Sequence, residues 1–287
     1  MKILVTGGTG TVGKHLVAEL VARGARVAVA TREAGRAAAL PAGARAEVGD
    51  LGDPAVLRRA LDGQEALFLL SALRPDEASW TLRAIAGARE AGVRRVVYLS
   101  VTGADRSPWI PHFGAKVAGE RALAASELEW TVLRPNSFLQ NDLRYRELLL
   151  GPGVYPQPIG SIGAARVDVR DVAAAAATAL TTEGHAGATY EIAGPETQTG
   201  ADIARVWSEA LGREIVYGGD DLEAWEAHMT KLVPPWMAYD LRWMYDHFQR
   251  HGARVGAADL ERQRSLVGRP PRGHRELAAE AAAAWRG

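Results

Sequence analysis

The 287-residue chain has no cysteine. That absence removes disulfides, thiolate nucleophiles and cysteine-based zinc or iron–sulfur centres from consideration. It has no surplus of either charge, since 34 basic residues balance 34 acidic ones. Nothing in that balance draws the protein to nucleic acid or to an anionic membrane surface. It has no long apolar run. The alanine stretch Ala173–Ala177 is too short and too weakly apolar to cross a bilayer. The chain starts on a strand-like Lys2-Ile3-Leu4-Val5 with no signal-peptide pattern, so a cytoplasmic location is the expectation. Metal chemistry lacks its ligands as well. His247 and His251 share a helical spacing, but no third ligand is apparent, and no metal is expected. No Ser-His-Asp order, phosphate-transfer loop or glycosidase carboxylate pair stands out.

What is present is alternation. Short β-branched runs at Ile3–Val5, Arg26–Ala30, Ala44–Val48, Ala66–Leu70, Arg95–Leu99 and Trp130–Leu133 are separated by helical patterns. In the first of these Val12, Leu16, Leu20 and Val21 share one face and Gly24 ends it. Asp53-Pro54 opens another with proline at the first helical position. Continuous apolar strands between helices predict an α/β fold: a doubly wound, parallel Rossmann-type sheet covered on both faces. After Arg134-Pro135 the pattern loosens. Asp168 then reads as the cap of an alanine-rich helix, Thr189–Ala193 as a strand and Thr199–Leu211 as a helix. Beyond Asp220 the composition shifts, with Trp225, Trp236, Trp243, Met229, Met237 and Met244. The expected division is a dinucleotide domain over 1–155, to which 165–195 return, and a smaller, mostly helical C-terminal substrate lobe over 156–164 and 196–287.

The first strand runs into Thr6-Gly7-Gly8-Thr9-Gly10-Thr11-Val12-Gly13. A pyrophosphate needs backbone N–H donors at close range, and a helix N-terminus supplies them with a favourable dipole. Gly7, Gly10 and Gly13, in the spacing G-x-x-G-x-x-G, clear side chains from that approach. A glycine triplet is weak evidence alone; between a strand and an amphipathic helix it is the context the motif requires. Thr6, Gly7, Gly10, Thr11, Val12 and Gly13 are therefore the expected pyrophosphate contacts.

An acid about twenty positions past such a turn would bind the ribose 2′-hydroxyl of NAD(H). Here the second strand ends Val29-Ala30-Thr31-Arg32. Arg32, assisted by Arg36, suits the bidentate grip of a 2′-phosphate, so NADP(H) is favoured over NAD(H), although Glu33 follows directly. Asp50, after the third strand beside Leu51, either bonds an adenine amino group or caps the helix beginning at Asp53. Ser71, Ala72 and Leu73, after the fourth strand, are expected along the cofactor and its adjoining pocket.

Four segments together resemble the NmrA-like proteins, a branch of the atypical short-chain dehydrogenases/reductases. They are Thr6–Gly13, Leu99–Ala104, His112-Phe113-Gly114-Ala115-Lys116 and Leu133–Asn141. The likeness runs to about Ala193, and Gly268-Arg269-Pro270-Pro271 adds to it. The resemblance implies a Rossmann domain, a small substrate lobe and a preference for NADP(H). The family includes reductases of quinones, dyes and phenolics, and also regulators that bind the dinucleotide without known catalysis.

Most short-chain dehydrogenases carry a tyrosine four residues before a lysine, on one helix face. Lys116 matches the lysine, whose implied role is to hold the nicotinamide ribose, though it could instead supply the proton or polarise the substrate, and by the helix pattern alone it reads as a surface lysine; His112 stands at the tyrosine position. His112 is either a general acid or simply a helix-start residue after Pro111. Ser100 and Thr102, at the end of the fifth strand, either bond the substrate carbonyl or cap local structure. By the resemblance Pro135 and Phe138 run beside the nicotinamide. Phe138 and Asn141 are candidate pocket residues, Phe138 serving equally well as core. Trp236 and Met237, after Pro234-Pro235, suit a flat aromatic substrate from a lid-like turn, or else belong to the lobe's own core. Seven arginines over Arg250–Arg275 are interrupted by acids and carry no DNA-binding motif, so no nucleic-acid partner is expected. The expected activity is NADPH-dependent hydride transfer to a quinone, conjugated carbonyl or related aromatic acceptor, by a monomer or homodimer without a membrane partner. The alternative is a non-catalytic NADP(H)-binding redox sensor.

Overall fold

The computed structural model describes residues 1–286. The chain runs β1 (Lys2–Val5), α1 (Gly13–Ala22), β2 (Arg26–Thr31), β3 (Ala44–Val48), α2 (Pro54–Leu61), β4 (Ala66–Leu69), α3 (Glu77–Glu90), β5 (Arg95–Leu99), α4 (Pro111–Ala124) and β6 (Glu129–Pro135). It continues through α5 (Arg146–Leu150), β7 (Val154–Tyr155), α6 (Val169–Thr181), β8 (Ala188–Ile192), α7 (Gly200–Leu211), β9 (Val216–Tyr217), α8 (Leu222–Met229), α9 (Pro235–His251), α10 (Ala257–Val267) and α11 (His274–Arg286). The chain divides into two compact units. One comprises Met1–Arg134, Val169–Glu191 and Ser265–Gly268; the other comprises Pro135–Asp168, Ile192–Arg264 and Arg269–Gly287.

The first unit is built on a seven-stranded, mostly parallel sheet of order β3-β2-β1-β4-β5-β6-β8. Its order reverses between β1 and β4, the switch point at which such sheets open a crevice at the strand C-termini. The hydrophobic pattern follows position in the sheet. Ile3–Val5, Ala66–Leu69 and Arg95–Leu99, on central strands, are wholly buried, whereas the edge strand β3 is half exposed. Helices α2 and α3 cover one face, where Leu57, Leu61, Trp80, Ile85 and Val96 share a core. Helix α1 packs against α6, whose alanines permit a close approach. Asp53 accepts a 2.8 Å bond from the Ala55 N–H and so starts α2.

The second unit has its own core of Leu149, Tyr155, Ile159, Ile203, Trp207, Trp225, Met229, Tyr245 and Phe248. Thr199 and Asp202 form a reciprocal capping box at the start of α7, and Gly212 ends that helix at φ 65°. A two-stranded parallel ladder pairs β7 with β9. The boundaries differ from the sequence expectation. Residues 135–155, expected in the dinucleotide domain, belong to the second unit, because Leu149 and Tyr155 are committed to its core. Residues 165–168 and 192–195 move with them. Trp225 and Met229 are core residues, each 8% exposed, with the Trp225 ring edge-on to Tyr245.

Candidate active site

The glycine turn joins β1 to α1 above the switch point. Gly7 has φ 66°, a backbone conformation that side chains disfavour. The Gly10 N–H bonds to the Gly7 carbonyl at 2.9 Å and closes the loop. Thr6 anchors it to β4: its hydroxyl donates to the Leu70 carbonyl at 2.9 Å and accepts from the Leu70 N–H at 2.7 Å. Gly13 has no room for a side chain. A Cβ there would stand 2.1 Å from the Gly7 carbonyl oxygen and 2.5 Å from Gly8 Cα. Among the described residues, the N–H groups of Thr11, Val12 and Gly13 meet no acceptor. Three free donors at a helix start form an anion cradle.

The same turn lines a cleft of about 430 Å³ through Thr6, Gly7, Thr9 and Gly10, while Thr11, Val12 and Gly13 are not among its lining residues. Of the residues expected around a dinucleotide, Thr6, Gly7, Gly10, Arg32, Arg36, Asp50, Leu51, Ala72 and Leu73 line it. Leu73, expected in the substrate pocket, thus sits in the same cleft as Arg32. Arg32 is exposed and has no ion-pair partner among the described residues. Arg36 pairs with Glu33 at 2.9 Å, so the acid that would oppose a phosphate is already matched by a cation. Asp50 accepts from the Gly52 N–H at 2.8 Å and forms a turn; Asp53, not Asp50, caps α2. Two wall residues were not anticipated. Arg74 is clamped by Asp76 at 2.5 Å, and its guanidinium lies 5.8 Å from the Trp80 ring, which also lines the cleft. Loop spacing gave no signal for Arg74; Trp80 falls on the buried stripe of α3 and so reads as core.

Ser71 and Lys116 meet at a second cluster in the same unit. Lys116 Nζ lies 2.8 Å from Glu77 Oε1 and donates to Ser71 Oγ at 3.1 Å. Ser71 Oγ in turn donates to Glu77 Oε1 at 2.6 Å. The Lys116 and Glu77 side chains are 10% and 3% exposed. Nζ also lies 5.5 Å from the centre of the Tyr98 ring. Burial, reinforced by Glu77, pushes the Tyr98 hydroxyl far above the ordinary phenol range, so it stays protonated. His112 is in the first turn of α4, half-buried, with its ring edge-on to Phe113 at 4.7 Å.

Ser100 and Thr102 belong to a third cluster. Ser100 Oγ donates to Glu120 at 2.5 Å, and Thr102 Oγ1 donates to the Arg134 carbonyl at 2.9 Å. Arg134 grips Glu120 with two bonds, 2.9 and 2.6 Å, and reaches Asp105 at 2.9 Å. The bond to Glu120 raises the Arg134 guanidinium well above its usual range despite partial burial, so the guanidinium keeps its charge. Both hydroxyls are thereby committed to the protein itself.

A family described as NAD(P)H-binding matches residues 7–183. That span includes the cradle, every cleft residue but Thr6, and the Lys116 cluster. The chain belongs to this NAD(P)H-binding family. Over 286 residues it is 32% identical to the NAD(P)H azoreductase of Xenophilus azovorans, with 99% of each protein covered. Its structure resembles that of the NADPH-dependent quinone oxidoreductase of Escherichia coli solved with NADPH. The TM-score is 0.86 at 27% identity, covering 99% of this chain and 100% of that one. A variant of NmrA gives a TM-score of 0.80 at 19% identity, over 99% of this chain and 96% of that one, which is a likeness of fold. The NmrA-like resemblance read from the sequence agrees with all three.

The remaining expected residues lie in the second unit. Pro135 is buried, Phe138 and Asn141 are half-buried, and the Phe138 carbonyl accepts from Arg166 at 3.1 Å. Trp236 and Met237 occupy the first turn of α9 instead of a free turn, because Pro235 stands at the N1 position that proline favours. Trp236 is 36% exposed. Sequence reasoning missed the polar centre of this unit. Asp142, fully buried, accepts from Arg166 at 2.5 and 3.1 Å, Gln157 at 2.7 Å, Trp207 at 3.0 Å and Tyr155 at 3.2 Å. His274 Nε2 stands 3.2 Å away. Burial alone would raise this carboxyl, but Arg166 and His274 outweigh it and hold it far below the ordinary range. No helix among the described residues is long and apolar enough to cross a membrane.

Proposed function

We infer that the chain is an oxidoreductase that takes hydride from NADPH and reduces a quinone, an azo compound or another conjugated aromatic acceptor. The observation that carries this reading is the glycine turn: three N–H donors without an acceptor at the start of α1, and a cleft lined both by Gly7, Thr9 and Gly10 of that turn and by an unpaired Arg32. Thr11, Val12 and Gly13 would hold the pyrophosphate. Arg32 would take the 2′-phosphate in a bidentate grip, and Glu33, occupied by Arg36, would not contest it. The bound nicotinamide supplies the hydride.

Lys116 is the buried cation at the end of β4 through its bond to Ser71, and it is the group suited to bind the ribose hydroxyls or the acceptor oxygen. The printed activities of the relatives, an azoreductase and a quinone oxidoreductase, support an acceptor with a conjugated, electron-poor π-system. Preference for NADPH over NADH rests on Arg32.

Stopped-flow single-turnover oxidation of bound NADPH, over a panel of quinones, azo dyes and enones, tests the reading. Oxidation well above the enzyme-free rate with at least one class is expected. Tight NADPH binding without oxidation by any acceptor would instead support the sensor alternative, for which His112 at the tyrosine position is the motivating feature.

A further inference from the structure

We propose that Glu77 is the positioning residue of this site. Its carboxylate, with the Ser71 hydroxyl, fixes Lys116 as a cation with one N–H left to offer to a ligand. This deepens the reductase reading and rests on Lys116 belonging to that site.

An ammonium has three donors on a flexible four-carbon stem. In this structure Lys116 spends one on Glu77 Oε1 at 2.8 Å and one on Ser71 Oγ at 3.1 Å. Two fixed bonds to a tetrahedral nitrogen set the direction of the third. The cradle is itself braced, since Ser71 Oγ donates to the same Glu77 oxygen at 2.6 Å. Glu77 is the first residue of α3, where the helix dipole favours a carboxylate. Buried ions are tolerated only when paired, and each member of this pair is the other's counter-charge. The nearby acid on Lys116's own helix, Glu120, is held by Arg134 and Ser100. The Tyr98 ring supplies an apolar, electron-rich floor and no exchangeable charge. Glu77 is therefore the carboxylate on which the charge of Lys116 depends. A buried amine that loses its counter-ion favours the neutral form, and a neutral amine both reacts with acylating reagents and donates more weakly.

The test uses the full chain as wild type, Glu77→Gln, Glu77→Asp and Lys116→Met. The first readout needs no turnover: pulse acetylation at neutral pH, with the Lys116 peptide quantified by mass spectrometry. Glu77→Gln is expected to raise Lys116 acetylation about tenfold, the effect of a unit change in proton affinity. The same rate in wild type and Glu77→Gln would overturn the proposal. Should Glu77→Gln fail to fold, Glu77→Asp decides, because it keeps the charge but withdraws the carboxylate by one methylene. It is expected to acetylate like wild type yet bind NADPH about tenfold more weakly in a fluorescence titration. Wild-type NADPH affinity in Glu77→Asp would remove the positioning role. If wild type binds NADPH but reduces no acceptor, the reductase reading fails while the acetylation result still judges Glu77.

Discussion

Gly13 and Gly10 look equivalent in the motif, and the structure assigns them different work. A methyl group at Gly13 would lie 2.1 Å from one backbone atom and 2.5 and 2.7 Å from two more. Comfortable carbon contacts sit at about 3.5–4.0 Å, so the overlap exceeds 1 Å and none of the atoms belongs to a movable side chain. Overpacking of this kind costs about 1–3 kcal/mol, and the upper end applies because the obstruction is backbone. Alanine's better helix propensity returns at most about 1 kcal/mol. The net loss of about 2 kcal/mol should lower the melting temperature by roughly 4–8 °C. Relief requires the start of α1 to shift by about 1 Å, which takes the Thr11, Val12 and Gly13 donors out of line and weakens NADPH binding about 100-fold. Gly10→Ala is the contrast. Its Cβ would meet only the Gly7 carbonyl oxygen at 3.2 Å, a contact relieved by a few tenths of an ångström. The apo melting temperature should move by less than about 2 °C, while the methyl obstructs the pyrophosphate approach and binding still falls about tenfold or more.

Thermal melts with and without NADPH separate the two. At 100 times the wild-type Kd the ligand stabilises by about 2.7 kcal/mol; for a variant with 100-fold weaker binding the same concentration gives about 0.4 kcal/mol. Gly13→Ala should lose both apo stability and the ligand-induced shift, and Gly10→Ala mainly the shift. An apo melting temperature unchanged in Gly13→Ala, or undiminished NADPH affinity in Gly10→Ala, would refute the assignment.

Arg32→Ala should weaken NADPH by about tenfold or more while leaving NADH within about twofold, since a charge-assisted fork to phosphate is worth about 1.5–3 kcal/mol; equal losses in paired titrations would end the phosphate assignment. Lys116→Met should lower kcat/KM about 100-fold in steady-state quinone reduction with the melting temperature largely kept, because methionine replaces most of the lysine's apolar stem but removes its donors; unchanged kinetics would retire the residue. Asp142→Asn should cost about 3–5 kcal/mol at neutral pH in urea unfolding, as Arg166 would be left buried without its counter-charge. Because the folded Asp142 carboxyl titrates far below its unfolded value of about 3.9, its contribution is complete above that value and is lost as pH falls below it. Acid unfolding of the wild type should therefore steepen below about pH 4, and the Asp142→Asn chain should lack that component.

The sheet and the turn were legible because their signals are local. Continuous apolar runs place β1, β4 and β5 in the centre, and the half-exposed pattern of Ala44–Val48 suits an edge. Asp53-Pro54 and Thr199 announce their helices through capping chemistry that spans three residues. The boundary at Arg134 was hidden because β6 runs through it to Pro135 without a break; only the commitment of Leu149 and Tyr155 to a different core reveals it. Pro234-Pro235 read as a turn, yet a proline at N1 also starts a helix, and the apolar periodicity after it was the signal that would have chosen between them.

The buried acids fail for a different reason. In sequence Glu77 is an unremarked acid after Pro-Asp, and Asp142 follows an asparagine in a polar stretch; both resemble solvated surface residues. Topology brings Lys116 to the first and Arg166 to the second from distant parts of the chain. Burial of a charge is a statement about its partner, and the partner is chosen by how elements pack rather than by spacing along one of them. The same logic explains Ser100 and Thr102. Their place at a strand end was readable, but their partners, Glu120 and the Arg134 carbonyl, come from α4 and β6. Lys116 was found through the resemblance, whose tyrosine–lysine pattern concerns one helix alone and is silent on what holds the lysine. The residue that sets its charge lies on α3, and only the packing of α3 against α4 makes the two a single chemical unit.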